Sequence, residues 1–348
     1  MKRRRFLRWL IWPALAVLFM WLLRRAPLGE IWAVLTSISP WSLAILVAFN
    51  ALAMLVFSGR WWLALRAQGH RLPYWTIFRY RMAAFAISYF TPGTQFGGEP
   101  LQVYAVTSRH AVPVASAVAS VALDKLFELM ANFTFLVLGI LVILSEQLFI
   151  SLSPGAGTLA AGGMMLLPLV YLILLWNGHQ PLSWLLGLIS RRLSLESNAY
   201  RRIQAIQEVI EGAEAQIHSL FRRQPLQILG IVGVSGAIWL FSLVEFWLAL
   251  WVLGAPLNLW QVVAALTASR LAFLTPIPGG LGALEMGQAL MLQAMGFDPA
   301  IGLAMSLWIR VRDTGLGLIG LGWGASMIRK SYVLPRSVIH PQPSPAGD

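Results

Sequence analysis

The chain has 348 residues, of which 58% are hydrophobic and only 11% charged; a soluble globular protein carries roughly a quarter charged residues, so too little polar material is present to cover a water-facing surface. Lys and Arg outnumber Asp and Glu 26 to 14, a formal net charge of +12, but the cations lie mainly between apolar runs, the pattern of positive-inside topology rather than of a nucleic-acid-binding face. Cysteine is absent, which removes disulfides, thiolate nucleophiles and Cys-ligated metals.

In chain order, the basic start Met1-Lys2-Arg3-Arg4-Arg5 precedes an apolar run over about 9–23. Arg24-Arg25-Ala26-Pro27 is a poor cleavage context, which favours an uncleaved first span over a signal peptide. A second span runs over about 41–59 and ends in Arg60-Trp61-Trp62, read as an interfacial anchor of aromatic rings beside a cation. Arg60, Arg66, Arg71, Arg79 and Arg81 then give residues 60–81 a cytoplasmic signature. Further apolar stretches lie at about 126–145, 157–176, 226–253 and 300–327, each near the 20 residues needed to cross a 30 Å hydrocarbon core.

Two other segments are hydrophobic but broken. Met82–Val106 is interrupted at Thr91-Pro92-Gly93-Thr94-Gln95-Phe96-Gly97-Gly98-Glu99-Pro100, and Leu259–Met295 at Thr275-Pro276-Ile277-Pro278-Gly279-Gly280-Leu281-Gly282. A helix cannot cross such clusters without losing backbone hydrogen bonds, a loss tolerated at membrane depth only beside protein or a polar cavity. Both are read as re-entrant hairpins of two half-helices. The predicted fold is an all-α polytopic membrane protein with about six transmembrane helices plus these two hairpins. With the N-terminus inside, residues 1–8, 60–81, 109–110, 177–225 and 329–348 face the cytoplasm and hold all but about six of the 26 cations. Both termini are then cytoplasmic, and residues 1–332 form one membrane domain.

Residues 191–224 are the one sizeable polar stretch. Ile203, Ile206, Ile210, Ala213, Ile217 and Leu220 recur at spacings of three and four, an amphipathic helix with a narrow apolar seam. The seam lies on the protein's own bundle or serves a homodimer or partner interface. The proline-containing tail, residues 333–348, is expected to be disordered.

Comparing the chain with itself at an offset near 185 aligns Arg60-Trp61-Trp62-Leu63-Ala64-Leu65 with Glu245-Phe246-Trp247-Leu248-Ala249-Leu250, and Trp75 with Trp260. Thr91-Pro92 then matches Thr275-Pro276 after a one-residue slip, and Glu99 matches Glu285. A repeat of about 41–145 and 226–327 follows. The assumed topology runs the two copies in opposite senses, the inverted arrangement of many transporters.

Charged residues inside apolar segments cost about 2.5–3.5 kcal/mol each on insertion scales, so they pair with one another or line a polar path. Candidates for binding or translocation are Thr91, Pro92, Gly97, Gly98, Glu99, Asp124, Lys125, Glu128, Arg270, Pro276, Gly280, Gly282, Glu285, Arg310, Arg312 and Asp313. Arg270 or Arg310 is the expected partner of the i,i+4 pair Asp124 and Glu128. Arg312 and Asp313, being adjacent, are expected to point apart. Half-helix N-termini after Gly98 and Gly282 are expected to offer free N–H groups to an anion, with arginines giving bidentate phosphate recognition. The acids Glu99 and Glu285 suit a cationic headgroup or proton exchange.

Gly315-Leu316-Gly317-Leu318-Ile319-Gly320 satisfies a dinucleotide-loop pattern but lies inside a span, where close helix packing explains it. The five histidines are scattered without metal-ligand spacing. No nucleophile elbow or phosphate loop occurs, so neither a catalytic residue nor a cofactor is predicted.

The motifs Phe90-Thr91-Pro92-Gly93…Gly97-Gly98-Glu99-Pro100 and Thr275-Pro276-Ile277-Pro278-Gly279-Gly280-Leu281-Gly282…Glu285 resemble those of the lysylphosphatidylglycerol synthase transmembrane-region family. That family is the flippase-like membrane half of the bacterial multiple-peptide-resistance factor and also occurs as stand-alone proteins. The resemblance covers roughly residues 10–330 and implies a lipid-handling protein of the bacterial cytoplasmic membrane, without fixing the lipid. The chain ends soon after its last span, so a stand-alone member lacking the soluble aminoacyl-transferase domain is expected. The leading expectation is a translocase moving an anionic or zwitterionic phospholipid between leaflets. The alternatives are a membrane subunit or enzyme of polyprenyl-phosphate or glycolipid synthesis, and a docking partner for a separate lipid synthase.

Overall fold

The computed structural model describes residues 38–91, 97–146, 154–191, 198–275 and 280–330. Within them the chain forms eleven α-helices: α1 Pro40–Ala67, α2 Tyr74–Phe90, α3 Glu99–His110, α4 Val114–Ser145, α5 Pro154–Trp176, α6 Pro181–Ser190, α7 Asn198–Arg223, α8 Pro225–Val252, α9 Leu259–Phe273, α10 Ala283–Ala294 and α11 Pro299–Lys330. No strand occurs among the described residues. The expected first span at 9–23, the tail at 333–348 and the centres of both breaks, Pro92 and Pro276 included, lie outside the described residues.

Proline punctuates this chain. It occupies the first turn of α1, α3, α6 and α8, where its missing N–H would have had no intrahelical acceptor. The Ser39 side chain caps α1 by accepting from Ser42 N at 3.1 Å. Asn258 and Gln261 form a reciprocal capping box on α9, both bonds being 3.0 Å.

Among the described residues three helices, α1, α4 and α8, are long and apolar enough to cross a membrane. At 1.5 Å per residue, 28 residues reach about 42 Å, more than the hydrocarbon core requires. α4 starts at Val114, well before the apolar stretch expected from 126, because the small apolar run Val114–Ala122 extends the helix. It passes through Asp124, Lys125 and Glu128 without a break, since their charges are paired.

Two series of helices correspond. α1 to α4 measure 28, 17, 12 and 32 residues; α8 to α11 measure 28, 15, 12 and 32. The turns after α1 and α8 also correspond. Trp62 Nε1 donates to Leu72 O at 3.0 Å and Trp247 Nε1 to Leu257 O at 3.1 Å. Gly69 and Gly254, at φ 87° and 94°, take the left-handed conformation that ends each helix.

The long helix of each series packs on the other series. α4 lies against α9 with Gly139 facing Thr267, and α11 lies against α2 with Gly317 facing Phe90 and Gly320 facing the Met82 carbonyl. A Cβ at Gly139 or Gly320 would overlap its neighbour, so glycine is what lets the backbones approach. Gly317 and Gly320 of the α11 glycine run therefore form a packing face, whereas Gly315 has open space around it.

In α7 the seam divides. Ala213, Ile217 and Leu220 are buried in a core with Leu123, Leu126 and Leu175 of α4 and α5, whereas Ile206 is exposed. The C-terminal half thus lies on the protein's own bundle. Glu214, only 2% exposed, accepts from Leu182 N, Ser183 N and Ser183 Oγ at 3.0, 3.1 and 2.7 Å. It caps α6 from outside that helix and ties α6 to α7.

Candidate functional site

Helices of both series surround a cavity of about 220 Å³. Ten charged side chains line it: Arg60, Arg81, Lys125, Arg270 and Arg312, with Glu99, Asp124, Glu128, Glu245 and Asp313. Burying a charge costs several kcal/mol unless partners and hydrogen bonds offset it, so the pairing decides what this site can do.

The first cluster joins α1, α2, α3 and α4. Arg60 of α1, 2% exposed, donates through Nε to Asp124 Oδ1 at 2.7 Å and through Nη2 to Glu128 Oε2 at 3.2 Å. Arg81 of α2 bridges the same two acids, to Asp124 through Nη1 and to Glu128 at 3.2 Å. Its guanidinium also lies over the Phe57 ring, 4.3 Å from the centroid. Asp124 and Glu128 fall one turn apart on α4, which is why two forked cations can hold both. Lys125 adds bonds to Glu128 at 2.9 Å and to Glu99 of α3 at 3.3 Å.

The second cluster joins α1, α8 and α11. Arg312 donates to Glu245 Oε1 at 2.5 Å and to Asp313 Oδ1 at 2.8 Å, and Asn50 of α1 donates to Glu245 at 2.9 Å. The two clusters share a plan with opposite polarity. The first helix of one series contributes Arg60 and its long helix the acids; in the other series the first helix contributes Glu245 and the long helix Arg312. Beside this cluster, Arg310 of α11 clasps Glu285 of α10 at 2.6 Å. That pair occupies the positions equivalent to Lys125 and Glu99.

Glu99 and Glu285 each have a second bond. Glu99 Oε2 accepts from Gly97 N, and Glu285 Oε2 from Gly282 N, both at 2.8 Å. Gly98 N donates to Ser88 Oγ at 2.9 Å. The N–H groups of Gly97, Gly98 and Gly282, just before α3 and α10, are therefore already engaged by side chains. An acid in the first turn already complements the dipole, and each glutamate couples a half-helix start to a cation on the long helix.

Of the sixteen residues singled out from sequence, Gly98, Glu99, Asp124, Lys125, Glu128, Arg270, Arg312 and Asp313 meet on the cavity. Glu285 and Arg310 meet each other away from its lining. Thr91 ends α2 through a bond from its N–H to Ile87 O at 2.9 Å. Gly97, Gly280 and Gly282 are turn residues at φ 132°, 62° and 82°, a region glycine enters freely. Pro92 and Pro276 lie outside the described residues.

Three expectations are corrected. Asp124 and Glu128 pair with Arg60 and Arg81, whereas Arg270 pairs with neither and Arg310 takes Glu285. Arg312 and Asp313 do bridge, because the long arginine side chain folds back across one residue while Glu245 anchors its other end. Arg60 and Arg81 are not exposed cations of a polar loop; both are buried within helices. The available signal for Arg60 was its alignment with Glu245, an acid within an apolar run. Arg81 had no such marker, because its aligned position in the second series is Leu266.

Among the described residues no group of three or more His, Cys, Asp or Glu side chains is arranged to hold a metal ion. The acids of the cavity are engaged by arginine and lysine.

A relative from Methanothermobacter thermautotrophicus, described as a UPF0104 membrane protein, is 21% identical over 286 residues, covering 80% of this chain and 83% of its own length. The family model for the lysylphosphatidylglycerol synthase TM region matches residues 8–320, which takes in α1 to α10, the greater part of α11 and every residue of the cavity. With its apolar helices and their shared charged interior, the chain is a multi-pass membrane protein belonging to the lysylphosphatidylglycerol synthase TM region family.

Proposed function

We propose that the protein is a lipid translocase of the bacterial cytoplasmic membrane, moving an anionic or zwitterionic phospholipid between leaflets without covalent chemistry of its own. The observation that carries this reading is the pair of equivalent clasps, Glu99–Lys125 on the lining of a charged cavity and Glu285–Arg310 outside that lining. An ion-pair cage among apolar helices replaces headgroup hydration while acyl chains stay in lipid, the central requirement for leaflet exchange.

In this proposal α1 to α4 and α8 to α11 are inverted copies, with α2–α3 and α9–α10 entering as hairpins from opposite faces and both termini cytoplasmic. Each glutamate ties the start of a half-helix to a long helix, so releasing one clasp frees one hairpin while the other holds. Alternation of the two would open the cavity to one leaflet at a time. Membership in a family named for a lipid synthase's membrane region supports a lipid-related role.

The test is leaflet exchange of a fluorescent phospholipid in proteoliposomes. Glu99→Gln, Glu285→Gln and Arg310→Ala should each abolish exchange in protein that elutes and melts as a folded species. Unchanged rates in all three would remove the basis for the clasp mechanism.

A further inference from the structure

We propose that Arg270 is the receptor for a phosphate-type oxyanion in the central cavity, presented by an aromatic platform of Trp239 and Phe135. This assignment deepens the translocase reading and rests on it for the lipid origin of the phosphate.

Four of the five cations lining the cavity, Arg60, Arg81, Lys125 and Arg312, are held by carboxylates. Arg270 makes no salt bridge among the described residues, and its buried Nε has no hydrogen-bond partner. An unmet buried donor is costly, and a charged one more so, so a cavity that retains one is a cavity prepared for an acceptor. No carboxylate of the cavity supplies it: Glu99, Asp124, Glu128, Glu245 and Asp313 are all committed elsewhere.

The guanidinium is nonetheless held in place. It lies over the Trp239 ring, 5.1 Å from the centroid, and Trp239 stacks on Phe135 at 4.1 Å with 15° between the planes. This arrangement fixes the plane of the arginine fork without consuming its donors, and a planar fork matches two oxygens of a tetrahedral anion. Ser242 and Asn132 also line the cavity. Each lies three residues from a member of the platform, on the same helix face, and each brings a neutral hydrogen-bonding group.

Charge balance points the same way. Five cations face five acids around the cavity, and four of the cations are held by carboxylates at salt-bridge distance. Arg270 is the cation among them whose Nε donor remains open to a phosphate. The volume of about 220 Å³ accommodates several waters at roughly 30 Å³ each, room enough for one phosphate group.

The experiment uses the full chain purified in a non-ionic detergent and measures binding calorimetrically. The probes are dihexanoylphosphatidylglycerol, inorganic phosphate, and dihexanoylglycerol, which has the same chains without phosphate. The wild type should bind the phosphate-bearing lipid and discriminate against dihexanoylglycerol. R270Q should weaken phosphate-dependent binding about tenfold to a hundredfold, and R270K, which keeps charge but loses the stacked plane, by a smaller factor. Preference for the lipid over inorganic phosphate supports a headgroup as the source, and equal affinity supports a free phosphate at the same residue. Equal binding of dihexanoylglycerol, or unchanged affinity in folded R270Q, overturns the assignment. If R270Q does not fold, unchanged affinity in R270K overturns it instead. Arg270-dependent binding in a protein that never exchanges lipid between leaflets would leave the receptor standing and remove the translocase reading.

Discussion

Asp124 offers the most decisive test of the cavity's internal balance. It is 1% exposed and receives both Arg60, at 2.7 Å, and Arg81. Asp124→Asn keeps the side-chain shape and removes the charge, leaving two buried arginines to share Glu128 at 3.2 Å each. Breaking a buried pair from one side costs about 3–5 kcal/mol, because the surviving charge loses its compensation. Removing both partners is a different perturbation. Arg60→Met with Asp124→Leu takes out one charge of each sign and leaves Arg81 with Glu128, so it should cost less than Asp124→Asn alone. The cycle completed with the Arg60→Met and Asp124→Leu single variants should then show a coupling of about 1–3 kcal/mol. The assay is unfolding in mixed micelles followed by tryptophan fluorescence, at fixed detergent composition. Additive effects within about 0.5 kcal/mol would refute the claim that these charges are held as one network.

Two further outcomes are expected. Gly320→Ala drives a methyl group into the Met82 carbonyl and should destabilise by about 1–3 kcal/mol, as overpacking does; Gly322→Ala, with open space around its position, is the control and should melt like the wild type. His70, in the connection between α1 and α2, has its pKa lowered by partial burial. The unfolded chain then takes up this proton first, so the contribution is complete above the unfolded value near 6.5 and is lost as pH falls through the lower folded value. Wild type should therefore lose thermal stability relative to His70→Gln between pH 7.5 and 5, and parallel profiles would contradict this.

Leaving charges inside apolar helices has a structural consequence beyond local pairing. The two clusters place opposite charges at one equivalent position of the first helices, Arg60 toward acids on α4 and Glu245 toward Arg312 on α11. An arginine at position 245 would face Arg312, which Glu245 now holds at 2.5 Å. Reversal instead lets Asn50 of α1 donate to Glu245 at 2.9 Å and joins the halves through a polar contact.

Much of this was legible in the chain before any tertiary contact was considered. Scarcity of charge against a hydrophobic majority determined the membrane environment, because burial of polar groups in lipid is too costly to be incidental. Proline and glycine marked the broken segments, because backbone stereochemistry is local. The offset near 185 that aligned Trp62 with Trp247 anticipated two indole bonds of the same kind. The paired motifs with their following glutamates carried the resemblance to the family whose model matches residues 8–320. What only the tertiary structure decided is the partner of each charge. Arg60 and Arg81 look like loop cations in sequence, and their burial beside Asp124 depends on how four helices meet. The glutamates at the half-helix starts look like ligands, yet backbone N–H groups and distant cations hold them. Arg270 differs from its neighbours only by what the fold leaves unpaired, a property that spacing along a chain cannot express, because electrostatic pairing is set by distances in space.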